Sequence, residues 1–375
     1  MKNIFLHKHS LCFILVANIY TMATIALTYD DIQLVPAYSN ISSRKNIDLT
    51  TQVTKRYGLR MPLVASCMDT VCESEMAITI AELGGVGCIH RFMSIEHQAK
   101  EVAIVATALN NNTTKDFWNV THPNWKFTAA IPIMAAVGAN GDFEERAIAL
   151  VNAGANIILI DVAHGHHENV KQAIATLRKA LPTHVDLIAG NIASAQAAKD
   201  LEAWNADGLR VGVGGGSLCT TRLKTGFGVP NVSCLQEIIA VTTLPVMADG
   251  GIRTSGDISK ALALGSSCVM LGSLIAGTKE APGQIIEKST GLYKRYRGAA
   301  SLETKMAHNQ EQRNVEGEST VIPFKGGAKF VIEGLLDGVR SAFSYGGANN
   351  IKEFKPNYVQ VTNAGLAEAK PHLIF

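Results

Sequence analysis

From residue 130 onward, short apolar runs alternate with segments in which apolar positions recur every three or four residues. A short continuous apolar run is typical of a buried strand, and the longer period is typical of a helix with one face on a core. Their alternation predicts parallel strand–helix units. The predicted strands are 131–137, 157–160, 185–189, 209–213, 244–248 and 268–271, and the predicted helices are 143–151, 168–181, 195–204, 235–241 and 256–264.

Polar residues or glycine-rich loops come directly after these predicted strands. Asp161, Asn191, Asp249 and Ser273 each follow one of them, and Cys219 lies in the loop after another. Functional groups at the ends of several strands are typical of a (β/α)₈ barrel, whereas an open doubly wound sheet concentrates them in one loop near its first strand. The sequence therefore predicts an α/β fold, a single-domain (β/α)₈ TIM barrel.

The loop at 212–222 reads Gly-Val-Gly-Gly-Gly-Ser-Leu-Cys-Thr-Thr-Arg. Its glycines leave the backbone open to close approach by a phosphate or an ion. A thiol on such a loop is suited to nucleophilic chemistry. The alternative is an inert buried cysteine beside a tight turn. The polar Thr-Thr-Arg that follows Cys219 favours the nucleophile.

Composition narrows the class of protein. The chain has 375 residues, of which 47% are hydrophobic and 18% charged, so it can bury a large core. Its net charge of +2 does not indicate the strongly basic surface that is typical of nucleic-acid-binding proteins. The seven cysteines are scattered without a CxxC pair, which is typical of a reduced compartment. We expect a cytoplasmic enzyme without membrane or nucleic-acid partners.

The first 21 residues stand apart from the rest. Two lysines and the apolar run 11–17 resemble a short signal peptide, and the run is too short to cross a bilayer. The other interpretation, which we favour, is an upstream extension before a start at Met22. The catalytic barrel is then predicted to occupy 22–375.

Two polar segments interrupt the pattern. Residues 105–127 are predicted to be a connector, too short for a further domain, which usually needs at least about 50 residues. Residues 299–320 are predicted to be a mobile active-site flap, the alternative being a solvated surface excursion.

Several motifs in order along the chain resemble the IMP dehydrogenase and GMP reductase family, from residue 27 to about 374. They are Leu-Thr-Tyr-Asp-Asp at 27–31, Ser-Cys-Met-Asp-Thr-Val at 66–71, Asp-Val-Ala-His-Gly-His at 161–166, the Cys219 loop, Ala-Asp-Gly-Gly-Ile at 248–252, Gly-Ser at 272–273, Tyr-Arg-Gly at 296–298 and Pro-Phe-Lys-Gly at 323–326. The resemblance implies a purine nucleotide substrate, a nicotinamide cofactor and a homotetramer. The regulatory cystathionine-β-synthase-type modules of the dehydrogenases are expected to be absent, because only the 105–127 connector stands at their position.

The resemblance also implies roles for individual residues. Cys219 is the nucleophile that attacks C2 of the purine, and Thr221 with Glu316 moves the proton. Met68 has a structural alternative, as a plain core residue. The implied nucleotide-binding residues are Ser66, Met68, Ser217, Asp249, Gly250, Gly251, Gly272, Ser273, Tyr296 and Gly298. The implied nicotinamide-binding residues are Asp161, Val162 and Ala163. The implied ligands of K⁺ or a similar monovalent cation are the backbone carbonyls of Gly214, Gly216 and Cys219, with Glu368 from a neighbouring subunit as a further contributor.

The direction of the reaction depends on the flap. The resemblance implies that a dehydrogenase carries an adjacent Arg-Tyr pair there to activate water. Residues 299–320 contain only Arg313, followed by Asn314, and no tyrosine. In contrast, the stretches 278–283 and 364–368 are more similar to the dehydrogenases. Because the flap lacks the Arg-Tyr pair, we predict an NADPH-dependent GMP reductase. The alternatives are an NAD-dependent IMP dehydrogenase without regulatory modules and, more remotely, a catalytically silent nucleotide-binding barrel.

Overall fold

A computed structural model describes residues 25–111, 118, 130–307 and 313–368. Eight parallel strands close into a barrel, in which each strand pairs with the next along the chain and the last pairs with the first. In chain order the barrel strands are β4 Leu63–Ala65, β5 Val86–Ile89, β6 Met134–Val137, β7 Ile157–Asp161, β8 Asp186–Ile192, β9 Gly208–Val211, β10 Val246–Asp249 and β11 Cys268–Leu271. The predicted (β/α)₈ barrel is confirmed.

Helices connect the strands and cover the outside of the barrel. In chain order the described α-helices, including those outside the barrel connections, are α1 Ser74–Glu82, α2 Ile95–Leu109, α3 Phe143–Asn152, α4 Glu168–Ala180, α5 Ala195–Ala203, α6 Thr221–Thr225, α7 Asn231–Ile239, α8 Ser255–Ala263, α9 Leu302–Ala307, α10 Ala328–Gly346 and α11 Asn363–Glu368. In α4, for example, Val170, Ile174 and Leu177 are buried because they recur on one face of the helix. Within the described residues, no helix has both the length and the apolar character to cross a membrane.

Alternate residues of the strands form two separate cores. One set, including Val64, Met134 and Met247, packs inside the barrel with Tyr57 from a short hairpin. The other set packs outward against the helices. Because both faces of each strand are covered, the strands appear in the sequence as continuous apolar runs. The hairpin consists of β2 Thr51–Gln52 and β3 Gly58–Leu59.

The remaining strands lie outside the barrel. Strand β1 Ile32–Leu34 pairs with β15 Tyr358–Gln360 and joins the two ends of the described chain. Strands β12 Ile286–Lys288, β13 Gly291–Arg297 and β14 Ser319–Pro323 form an antiparallel sheet after the last barrel strand. This sheet frames the 299–320 segment.

Two predicted boundaries are wrong in detail. Residues 105–109 complete helix α2 rather than the connector, because Val105 and Leu109 continue its buried face. Helix α7 begins at Asn231, four residues before its predicted start, directly after Pro230, whose fixed backbone suits a helix start. Residues 302–307 of the predicted flap are helical. The leader at 1–21 and most of the connector lie outside the described residues.

Candidate active site

A cavity of about 660 Å³ opens at the carboxyl ends of the barrel strands. Every residue predicted to bind nucleotide, nicotinamide or cation within the chain, and each of the three predicted catalytic residues, lines it. The predicted contributor Glu368 is an exposed residue at the end of α11 and does not line this cavity. The strands bring the predicted groups together because the carboxyl ends of parallel barrel strands meet at one rim.

The Cys219 loop lies directly beneath the described part of the flap. The backbone N–H of Thr220 donates to the carbonyl of Glu316 at 3.0 Å, and the N–H of Glu318 donates to the carbonyl of Leu218 at 2.9 Å. Cys219 and Gly317 form an antiparallel bridge between the two segments. These bonds hold this part of the flap against the Cys219 loop, so that Glu316 lies close to the thiol.

A chain of hydrogen bonds joins the thiol to a flap carboxylate. The Cys219 thiol donates to Oγ1 of Thr221 at 3.2 Å, and that hydroxyl donates to Oε2 of Glu316 at 2.6 Å. All three side chains are half-buried. The arrangement can carry a proton from sulfur to carboxylate through the hydroxyl, and return it to a group bound beside the sulfur.

Cys219 differs from the other described cysteines in its exposure. Cys67, Cys72, Cys88, Cys234 and Cys268 are buried. Burial holds the thiol pKa of Cys72, Cys88 and Cys268 well above its usual range and raises that of Cys234 to about 12. The thiols of these last four cysteines therefore remain protonated and unreactive at neutral pH.

We therefore expect iodoacetamide at neutral pH to alkylate Cys219 before the five buried cysteines, because Cys219 alone among the described cysteines is partly exposed. Mass spectrometry of tryptic peptides over a time course measures the order of labelling. Alkylation of Cys72 or Cys88 in the folded protein ahead of Cys219 would contradict this assignment.

Three elements converge on one side of the cavity. The hydroxyls of Ser217 and Tyr296 are 3.0 Å apart, and a side chain at Gly272 would meet the Tyr296 hydroxyl at 3.2 Å. Burial raises the pKa of Tyr296, so its hydroxyl stays protonated and can donate to an anion. Gly251 follows the seventh barrel strand and Gly272 follows the eighth, where TIM barrels frequently bind phosphate. This side of the cavity suits a phosphate group.

The floor of the cavity contains a charged cluster that the sequence analysis did not predict. Arg210, within β9, is buried and hydrogen-bonds the carboxylates of Asp161 and Asp249. The side-chain amide of Asn191 donates to Asp249 at 2.7 Å. Asp249 therefore has one oxygen held by two donors, while its position at the cavity leaves it available to hydroxyl groups. Asn191 stood out in the sequence as a strand-end residue, whereas Arg210 looked like part of an apolar strand.

Behind the glycine loop, Asn231 joins two cavity walls. Its buried side-chain amide donates to the backbone carbonyl of Gly250 and lies against Gly212 and Gly215. No sequence pattern pointed to Asn231, which begins an amphipathic helix. It holds the Cys219 loop and the loop after Asp249 at a fixed separation.

The close approach of these two loops requires glycine at 212. Its backbone has φ +135°, and an added Cβ would lie 2.0 Å from the carbonyl oxygen of Asp249. We expect Gly212→Ala to lower the free energy of unfolding by about 1–3 kcal/mol more than Gly226→Ala. Gly226 is the matched control because it also has a positive φ but open space around its Cβ position. Chemical denaturation measures both; equal losses would contradict the predicted clash.

The predicted cation ligands are backbone carbonyls on the Cys219 loop. Gly214, with φ +77°, and Gly216 line the cavity, and the Gly216 carbonyl also accepts the N–H of Cys219 at 3.1 Å. A carbonyl oxygen has two lone pairs, so this turn is compatible with coordination of a hard monovalent ion. Among the described side chains, no group of three or more His, Cys, Asp or Glu forms a metal site.

Comparison with known proteins places these observations in context. Residues 26–372 match the family model of the IMP dehydrogenase / GMP reductase domain. An inosine-5'-monophosphate dehydrogenase from Cryptosporidium parvum is 37% identical, over 92% of this chain and 94% of that protein. A GMP reductase from Leishmania donovani is 31% identical, over 92% of this chain and 96% of that protein.

A solved structure is similar over nearly the whole fold. A cysteine-to-alanine variant of GMP reductase from Trypanosoma brucei, in complex with guanosine 5'-monophosphate, has a TM-score of 0.84 and 30% sequence identity. The similarity covers 94% of this chain and 99% of that chain. The similar proteins thus divide between two enzyme names.

Proposed function

The chain belongs to the IMP dehydrogenase / GMP reductase family, and we propose that within it this oxidoreductase is a GMP reductase. The proposed reaction converts GMP, NADPH and two protons into IMP, NADP⁺ and ammonium. The two enzymes of the family share a purine linked to cysteine, but they differ in the group that enters or leaves at C2. Water enters in the dehydrogenase reaction, and ammonia leaves in the reductase reaction.

The observation that carries this proposal is the identity of the flap residue at the thiol. Glu316 is linked to Cys219 by hydrogen bonds through Thr221. Arg313, in the described part of the flap, is exposed and does not line the cavity. The Arg-Tyr pair expected for water activation is missing from 299–320. A carboxylate and a hydroxyl can shuttle a proton to a departing amine without it.

In the first proposed step, Glu316 accepts the thiol proton through Thr221, and the sulfur of Cys219 attacks C2 of GMP. The C–S bond forms, and the bond from C2 to the amino group then breaks. Glu316 returns its proton through Thr221 to the leaving nitrogen, which departs as ammonia. The carboxylate thus acts first as base and then, in protonated form, as acid.

In the second step, C2 is reduced and the C–S bond breaks, which releases IMP and regenerates the thiol after one proton is taken up. NADPH supplies the hydride when bound beside C2. Asp161, Val162 and Ala163 line the cavity and would hold the nicotinamide riboside, with the Asp161 carboxylate as acceptor for its hydroxyls. The closed flap would keep water away from the reduced carbon.

The remaining proposed roles concern binding of the nucleotide. Ser66 and Met68 would lie against the base, since both line the cavity beside the thiol loop. Asp249 would accept hydrogen bonds from the ribose hydroxyls. The proposed phosphate-binding residues are Ser217, Gly250, Gly251, Gly272, Ser273, Tyr296 and Gly298.

A monovalent cation and a homotetramer complete the proposal. The cation, K⁺ or a similar ion, would be held by the carbonyls of Gly214, Gly216 and Cys219, with Glu368 from a neighbouring subunit. Leu223 and Phe227, just after this loop, are exposed apolar side chains, as expected for a surface that another subunit covers.

The decisive test follows nicotinamide absorbance with GMP plus NADPH and, in parallel, with IMP plus NAD. We expect oxidation of NADPH with one ammonia and one IMP formed per turnover, and no sustained formation of xanthosine monophosphate. Sustained xanthosine monophosphate formation without GMP reduction would show an IMP dehydrogenase. Nucleotide binding without either reaction would show a silent barrel.

A further inference from the structure

Arg210 connects the two halves of the cavity. Its guanidinium donates from Nη1 to Asp161 and from Nε to Asp249, the latter at 2.9 Å. Asp161 is on the proposed nicotinamide side and Asp249 on the proposed ribose side. A single fork of donors therefore holds the acidic residue of each half.

The burial of this cluster makes the two contacts interdependent. The side chain of Arg210 is 9% exposed, and those of Asp161 and Asp249 are 13% and 19% exposed. Burial would lower the pKa of Arg210, but the negative charges of Asp249 and Asp161 outweigh it and raise that pKa well above its usual value. A buried cation needs its counter-charges. Loss of one carboxylate therefore shifts the guanidinium toward the other.

Other groups around the cluster do not replace either carboxylate as a partner of Arg210. The sulfur of Cys67 accepts a long hydrogen bond from Nη1 at 3.5 Å, and Asn191 donates to Asp249 rather than to Arg210. Arg91 is 3.7 Å from Asp161 and adds a second cation on that side.

We propose that Arg210 is a positioning residue that couples the nucleotide half of the site to the nicotinamide half, so that a change at Asp161 alters purine nucleotide binding. When the carboxylate of Asp161 is removed, Arg210 forms its ion pair with Asp249 alone. The tighter pair draws Asp249 toward the floor of the cavity and weakens it as an acceptor for ribose hydroxyls. This inference rests on the proposed purine nucleotide site, but not on the direction of the reaction.

The test measures binding of IMP by calorimetry with no nicotinamide nucleotide present, because IMP is a ligand of both enzymes of the family. We expect Asp161→Asn to weaken IMP binding on the order of five- to tenfold, a typical coupling between sites. The matched control is Asp200→Asn, a carboxylate that pairs with His166 instead of Arg210. It should leave the IMP dissociation constant unchanged.

A double-mutant cycle tests the route through Arg210. Lysine keeps the positive charge but lacks the fork that spans two carboxylates. In an Arg210→Lys background, Asp161→Asn should cause no further loss of IMP affinity, with folding of each variant checked by thermal melting.

Two results would overturn the coupling while leaving the proposed function intact. They are unchanged IMP binding in Asp161→Asn, and an equal loss in the Arg210→Lys background. Failure of the unaltered protein to bind IMP would instead overturn the purine site and the coupling with it.

Discussion

Replacement of Cys219 by alanine is expected to lower turnover by about 10³-fold or more, because the other described cysteines are buried. Nucleotide binding should persist, since the proposed phosphate contacts of the cavity do not involve the sulfur. Steady-state oxidation of NADPH with GMP measures the first effect, and calorimetric titration with GMP measures the second.

The control for this substitution is Cys234→Ala, in helix α7, which removes a buried thiol outside the cavity. It should keep most of the activity, although the small void it creates lowers stability. Activity of Cys219→Ala close to that of the unaltered protein would remove Cys219 from the nucleophile role whatever the reaction.

Glu316→Gln is expected to lower the rate of ammonia release by about 10²–10⁴-fold, the usual contribution of a general acid–base group. The amide can still accept the hydrogen bond from Thr221, which is 2.6 Å long in the present arrangement, but it cannot take up the proton. The dissociation constant for GMP should change little. Rapid-quench measurement of ammonia in a single turnover isolates this step.

The matched control is Glu318→Gln, two residues further along the same flap. Glu318 is exposed, and its backbone N–H contacts the Cys219 loop while its side chain stays outside the cavity. The turnover of the Glu318→Gln variant should equal that of the unaltered protein. If the two variants release ammonia at the same rate, the proton transfer belongs to a group other than Glu316.

Sequence pattern and structure agree most closely at the rim of the barrel. Asp161, Asp249 and the Cys219 loop were predicted to converge because each follows an apolar run, and parallel strands present their carboxyl ends together. That inference needs only the repeat of strands and helices. All three line one cavity in the structure.

The flap shows where local pattern becomes insufficient. The polar sequence of 299–320 predicted a segment over the site, and the family resemblance pointed to Glu316. Only the folded chain shows the hydrogen-bonded path from Cys219 through Thr221 to that carboxylate, because its partners are 95 residues apart in sequence.

The sequence by itself determined the barrel, the polar residues at its strand ends and the glycine-rich Cys219 loop, because hydrophobic period and glycine content act locally. Only the tertiary structure decided the contacts of Arg210 and Asn231. Arg210 lies within an apolar strand and Asn231 opens an amphipathic helix, so neither departs from its local pattern. Their importance comes from partners distant in the chain, Asp161 for the guanidinium and Gly250 for the amide. Such pairings depend on how the strands close around the barrel, which no local pattern encodes.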